Sequence, residues 1–361
     1  MAQVTVRPYD DSRDREAYWN VRALTYNNGN AYAEDDRSHK FSRGYVAEVD
    51  GVVEGNFAVV DFTAVVRGHA FRLAGIAAVA VLPHRRGTGL GSEMMRGMVR
   101  LLREEGFAMA SLYAFREPFY RKAGFEACGK RIKVTCPVDR LPKLSPELDV
   151  RLITPAEYGQ LADCHGSFVR ARNGFNLRDE KHWMRVLAEN RDLSIYVAGD
   201  PVEAYAVVSH STAFWTQDHI SEFVWSSARG YRTILSFLRG LGINKTSLSW
   251  YEPSDSPFLA SYLDQGVDLK IERTIMYRTL DAGKILSAVA PGLDVLVEDE
   301  LVSHSGALAG ADLRVDQRRF TQILLGDPSL ADLERNGLVT GASEAAHMAF
   351  PPAPVTCLEF F

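Results

Sequence analysis

The chain has 361 residues, 46% hydrophobic and 24% charged, enough apolar material for two or three globular domains. A net charge of −5 argues against a nucleic-acid partner, and no apolar run reaches the roughly 20 residues of a membrane span, so a cytoplasmic protein with neither nucleic-acid nor membrane partners is expected. Four cysteines without C-x-x-C spacing and nine histidines without an H-x-x-x-H pair suggest neither a disulfide frame nor a metal site.

Val4–Val6 reads as a strand, with no signal-peptide core ahead of it, and Ser12–Asn27 as helical. Tyr45–Val49 and Val52–Asp61 flank Asp50-Gly51, a strong hairpin signal, and Arg72–Val81 continues an antiparallel sheet. Val79-Ala80-Val81-Leu82-Pro83 then runs into His84-Arg85-Arg86-Gly87-Thr88-Gly89-Leu90-Gly91-Ser92, a loop with two arginines and alternating glycines. A helix follows, with Met94, Met98, Leu101 and Leu102 at helical spacing. Glycines let backbone N–H groups close on an anion, and a helix N-terminus adds unsatisfied donors and a positive partial charge. Paired arginines suit a ligand carrying several phosphates. The dinucleotide fingerprint G-x-G-x-x-G and the nucleoside-triphosphate signature G-K-[ST] are both absent, so the loop reads as a pyrophosphate cradle of another kind.

Ala108–Ala114 is the next strand, leading into Phe115-Arg116-Glu117-Pro118-Phe119-Tyr120-Arg121-Lys122-Ala123-Gly124-Phe125. Arg131–Cys136 reads as the last strand of the first unit, and Pro137–Pro146, with three prolines, as a linker. A second pass echoes the first. Tyr196–Asp200 and Ala204–Val208 repeat the hairpin, and Glu222–Trp225 leads through Ser227-Ala228-Arg229-Gly230-Tyr231-Arg232 into an apolar helix. That loop stands where the glycine loop stood but has one glycine among bulky neighbours, so a duplicated domain that lost its cofactor is expected. From Asp281 on there are twelve acidic and five basic residues, a balance suited to attracting a cationic amine. Val289–Val297 and Gly306–Val315 read as strands, Asp316–Asp327 and Ser329–Asn336 as helices. Val355–Phe361 is too apolar for a frayed end, and predicts a terminus docked against protein.

Arg86–Gly91 has the pattern R-x-x-G-x-G after a Val-x-Val-x-Pro strand, and closely resembles the coenzyme A loop of GCN5-related N-acetyltransferases. F-Y-x-K-x-G-F over Phe119–Phe125 resembles the fourth conserved helix of that superfamily. End to end, the chain resembles the enhanced-intracellular-survival (Eis) type, although it is shorter than that family, mainly in its last third. The resemblance implies an α/β (α+β) fold with two tandem acetyltransferase-like mixed-sheet domains, 1–138 and 146–280, the second without a cofactor loop. A sterol-carrier-like α/β module, 281–361, would follow. Acetyl-CoA is the implied co-substrate, with no metal. Its pantetheine arm would lie along Val79, Ala80 and Val81, and its pyrophosphate on Arg86, Gly87, Thr88, Gly89, Leu90, Gly91 and Ser92. Phe115 and Arg116 would flank the thioester.

Tyr120 matches the family's general acid. A phenol, with an ordinary pKa near 10, can hold a proton for a thiolate whose conjugate acid lies near 8.5. The α-carboxylate of Phe361 matches the family's general base. The implied substrate is a primary amine of a cationic small molecule such as an aminoglycoside, entering between the first domain and the C-terminal module, and the implied assembly is a hexamer. Acetylation of a protein lysine or a biosynthetic amine, or hydrophobe binding beside a vestigial enzyme domain, are the alternative expectations.

Overall fold

The computed structural model describes residues 4–188, 193–209, 217–272, 275–301, 310–355 and 357–359. The first half contributes strands β1 (Val4–Pro8), β2 (Arg43–Val49), β3 (Val52–Val66), β4 (His69–Val81), β5 (Met109–Tyr113), β6 (Glu126–Ala127) and β7 (Arg131–Pro137). The second contributes β8 (Val150–Ile153), β9 (Asn176–Leu177), β10 (Leu193–Ala198), β11 (Ala204–Ser209), β12 (Gln217–Trp225), β13 (Ser247–Glu252), β14 (Asp268–Glu272) and β15 (Ile275–Thr279). They form two mixed sheets, β1-β2-β3-β4-β5-β15-β6, with β9 added on β3, and β8-β10-β11-β12-β13-β7-β14. Position for position the two orders match, with one reciprocal exchange. β15 lies between β5 and β6, and β7 lies between β13 and β14.

Sheet membership therefore crosses the linear boundaries expected at 138, 146 and 280. The strand expected to close the first unit, Arg131–Cys136, pairs instead with β13 and β14. Its alternation specifies one buried face, with Val134 and Cys136 inside, but not which core receives it. Both residues pack in the second core with Ile153, Trp183 and Trp250.

Helix α1 (Asp11–Tyr26) starts at Asp10, whose side chain accepts from the Ser12 N–H, and buries Tyr18, Trp19, Val21 and Ala23. Helix α2 (Leu90–Glu104) buries Met94, Met95, Met98, Val99 and Leu102, a single stripe that covers one face of the first sheet together with Phe57, Ile76 and Leu112. The opposite face, through Phe62, Leu73 and Met109, is covered by the C-terminal third through Ile285, Phe320, Ile323 and Leu324.

In that third, Ala282–Val289 is a helix. Asp281 caps it by accepting from the Lys284 N–H at 2.9 Å, and Pro291-Gly292 follows its end. The strand expected over Val289–Val297 is thus confined to β16 (Val295–Glu298), paired in parallel with β17 (Leu313–Asp316). Residues 306–309 of the second expected strand lie outside the described residues. Helices Gln317–Leu325 and Leu330–Arg335 fall where expected. Among the described residues no helix is long and apolar enough to cross a membrane. The docked end holds as far as it is described, since Val355, Cys357 and Glu359 are all buried.

Candidate active site

The cleft begins with a fault in a strand. β4 pairs in parallel with β5 only from Leu73 to Ile76, opposite Met109 to Leu112. Its register with β3 then slips, Ala77 facing Ala58 but Ala80 facing Asn56, and Ala78 takes a positive φ of 50°. Such a bulge bends the strand and ends pairing on one side. Past Ile76 the two strands no longer pair, and a cleft of about 720 Å³ opens beside Val79, Val81, the glycine loop, Phe115 and Phe119.

The loop is shaped for an anion. Gly89 is the residue before α2, with φ of 96°, and no side chain caps the helix; the Ser92 amide donates to the Gly89 carbonyl at 3.0 Å, and the Leu90 and Gly91 amides have no partner among the described residues. Gly91 is closely packed, because a Cβ there would lie 3.2 Å from the Phe119 ring, which would have to shift by a few tenths of an ångström. The two arginines have different tasks. Arg85 is held by Glu54, Nη2 to Oε1 at 2.7 Å and Nε to Oε2 at 2.7 Å, so its charge is already matched. Arg86, Arg116 and Lys122 line the same cleft, and no acidic side chain lines it among the described residues. A polyanion with an apolar arm fits this lining.

Of the residues expected at the cofactor, Val79, Val81, Arg86, Gly87, Gly89, Gly91, Ser92, Phe115 and Arg116 line the cleft. Ala80 is buried in its pairing with Asn56, Leu90 is buried in the core, and the Thr88 hydroxyl donates to the Arg85 carbonyl at 2.8 Å. These three have only backbone to offer. Phe115 is 72% exposed and presents its ring to the cleft beside Phe119.

Tyr120 sits on the short helix α3 (Glu117–Arg121) and is 3% exposed. Its ring lies edge-on to Phe115 at 5.6 Å and to Phe119 at 5.0 Å. Its hydroxyl makes no hydrogen bond to any described residue. Burial, and then the nearby Tyr26 phenol, push its pKa above the usual tyrosine range, which keeps it protonated. Sequence reasoning missed Tyr26, whose hydroxyl donates to the Val79 carbonyl at 2.6 Å across the cleft mouth. Nothing in an amphipathic helix marks its last residue as a cleft wall. Lys122 was also missed as a lining residue, although it lies inside the F-Y-x-K motif.

Phe361, the expected base, lies outside the described residues. The chain leading to it is tied to the end of β5, where the Tyr113 hydroxyl donates to the Glu359 carbonyl at 2.8 Å. In the second half, the helix Ala228–Leu241 occupies the place of α2, but the Ser227 side chain caps it by accepting from the Gly230 N–H. Glu203 accepts from the Ser227 hydroxyl at 2.6 Å and pairs with Arg229, whose hydrogen bond, with that of Ser227, lowers the Glu203 pKa to about 2. A protein carboxylate and a side-chain cap stand where the first loop leaves amides open.

Residues 7–128 match the family model described as an acetyltransferase (GNAT) domain. No curated protein matches the chain in sequence. Among solved structures, a GCN5-related N-acetyltransferase from Kribbella flavida is 22% identical with a TM-score of 0.80, over 100% of this chain and 99% of that one. A GCN5-related N-acetyltransferase from Anabaena variabilis is 16% identical with a TM-score of 0.84, over 99% and 100%. Eis1 from Mycobacterium abscessus is 19% identical with a TM-score of 0.77, over 99% and 100%. These likenesses show a shared fold along the whole chain, and the domain match makes residues 7–128 an acetyltransferase domain of the acetyl-CoA-using kind.

Proposed function

We propose that the chain is an Eis-type enzyme that moves an acetyl group from acetyl-CoA to a primary amine of a cationic small molecule, with aminoglycosides among the candidates. The observation that carries the cofactor half is the cleft between β4 and β5, free of acidic lining, with an uncapped helix start and three cations. Acetyl-CoA supplies the acetyl group as an activated thioester. Gly87 to Ser92 and Arg86 would hold the pyrophosphate, and the open edge at Val79 and Val81 would orient the pantetheine arm. Tyr120 would donate its phenolic proton to the departing thiolate, a role favoured by a pKa raised through burial. The carboxylate of Phe361 would take a proton from the substrate ammonium, directly or through water. The tether of Glu359 to Tyr113 supports that assignment by bringing the tail to the end of β5.

An ordinary α-carboxylate, with a pKa near 3.5, is a weak base, so fixed placement matters more than basicity. A hexamer and a sterol-carrier-like last module belong to the same proposal. The deciding experiment measures thiol release from acetyl-CoA across aminoglycosides, polyamines and lysine peptides. Turnover with aminoglycosides supports the reading. Turnover only with lysine peptides moves the activity to protein acetylation, and no turnover with any amine refutes it.

A further inference from the structure

We propose that Arg178 and Glu222, neither of which lines the cleft, clamp Glu359 and so anchor the tail of the chain at the end of β5, the strand that leads to Phe115. The functional weight of the clamp rests on the reading of Phe361 above. Arg178 follows β9, and its Nε donates to Glu359 Oε1 at 2.9 Å. Its Nη1 and Nη2 donate to Glu222 Oε1 and Oε2 at 2.8 and 2.5 Å, a fork that only a guanidinium makes. The three side chains are no more than 4% exposed. Asn176 Nδ2 donates to the second Glu359 oxygen at 3.2 Å, and the Tyr205 hydroxyl donates to Glu222. Tyr113, from the other sheet, holds the backbone of the same residue.

Two carboxylates and one guanidinium taken out of water are a poor source of stability compared with apolar side chains of the same volume. Their arrangement is better explained by what they fix. Glu222 and Tyr205 lie on β12 and β11 of the second sheet, and Tyr113 lies on β5 of the first, so Glu359 is held from both sides of the junction. Two residues reach at most about 7 Å, so fixing Glu359 at the end of β5 limits how far from that point the chain after it can reach. The second half, whose own helix start is closed by Ser227, has a task in the reaction as the anchor of the tail.

The test uses the full chain and the variants Glu359→Gln, Arg178→Gln and Arg178→Lys. Glu359→Gln keeps the shape and removes one buried charge, so it remains informative if Arg178→Gln does not fold. Carboxypeptidase release of the terminal residues is followed by mass spectrometry, beside kcat, KM for acetyl-CoA and the melting temperature. We expect release at least tenfold faster than wild type in folded Glu359→Gln, kcat at least tenfold lower and KM for acetyl-CoA within twofold, with Arg178→Lys intermediate. Release at the wild-type rate in folded Glu359→Gln overturns the clamp and leaves the Phe361 reading standing. Faster release at unchanged kcat upholds the clamp and overturns the Phe361 reading.

Discussion

Replacing Tyr120 by phenylalanine isolates one oxygen atom. The ring is packed by Phe115, Phe119 and Phe125, and these contacts survive the change. The hydroxyl has no hydrogen-bond partner among the described residues, so stability should move by no more than about 1 kcal/mol. A general acid is worth about 10²–10⁴-fold, or roughly 3–5 kcal/mol of barrier. Thiol release at saturating acetyl-CoA and amine should therefore fall at least 100-fold, with the melting temperature and KM for acetyl-CoA almost unchanged. The pH profile gives a second check. Burial and Tyr26 raise the phenol above its ordinary value near 10, so it is protonated at every lower pH and causes no alkaline loss of kcat below about pH 10. A folded Tyr120→Phe enzyme with kcat within twofold of wild type refutes the assignment.

Arg86→Ala should weaken coenzyme A binding about tenfold by calorimetry, the loss of one charge-assisted contact, and by less at high salt. Arg85→Ala should change affinity less than threefold but lower the melting temperature, because it strands the buried Glu54 carboxylate. Gly91→Val places a Cβ 3.2 Å from the Phe119 ring and adds two methyls, which should cost coenzyme A at least tenfold in affinity; wild-type affinity would show that the α2–Phe119 contact is dispensable. His165 provides the pH test of stability. Burial, then the charge of Arg178, lower its pKa to about 3, against about 6.5 when unfolded. The folded chain holds the neutral ring while the unfolded chain takes up a proton, so stability falls as pH drops from about 6.5 towards 3, by a few kcal/mol at most. Denaturant midpoints at pH 7 and pH 4.5 should differ less in His165→Gln than in wild type.

The glycine loop and Phe115, which line the cleft, were legible because their pattern is local: Gly87, Gly89 and Gly91 constrain backbone within a few residues, and Tyr120 stands in a compact motif whose role came from a family resemblance. The strands β2, β3, β4 and β5 were legible for the same reason, each having its own alternation and a turn signal at its end. What the sequence withheld was long-range. Arg178, Glu222 and Glu359 are ordinary charged residues until the fold brings positions 44 and 181 residues apart onto one guanidinium. The division of labour between Arg85 and Arg86 depends on Glu54, whose place beside the loop follows from the pairing of β3 with β4. The strand expected over Val289–Val297 begins only at Val295, because Val289 ends the helix that starts at the Asp281 cap, and Pro291-Gly292 follow it.

The reciprocal exchange of β7 and β15 bears on why a half without an open phosphate loop persists. β15 pairs residue by residue with β5, Ile275 with Tyr113 through Thr279 with Met109. It thereby covers the open edge of the strand whose end forms the cleft. Without it, β5 would present unpaired amides and carbonyls to solvent beside Phe115, the condition that invites aggregation. From β15, Tyr277 donates to the Gly174 carbonyl at 2.9 Å, tying the strand to the segment that continues through β9 to Arg178. β9 in turn pairs with β3 through Asn176 and Leu177. The second half thus completes the first sheet at β5, adds to it at β3 and grips the tail at Glu359. Each of these contacts is made by residues outside the loop Ser227–Arg232, so none of them requires that loop to hold a ligand.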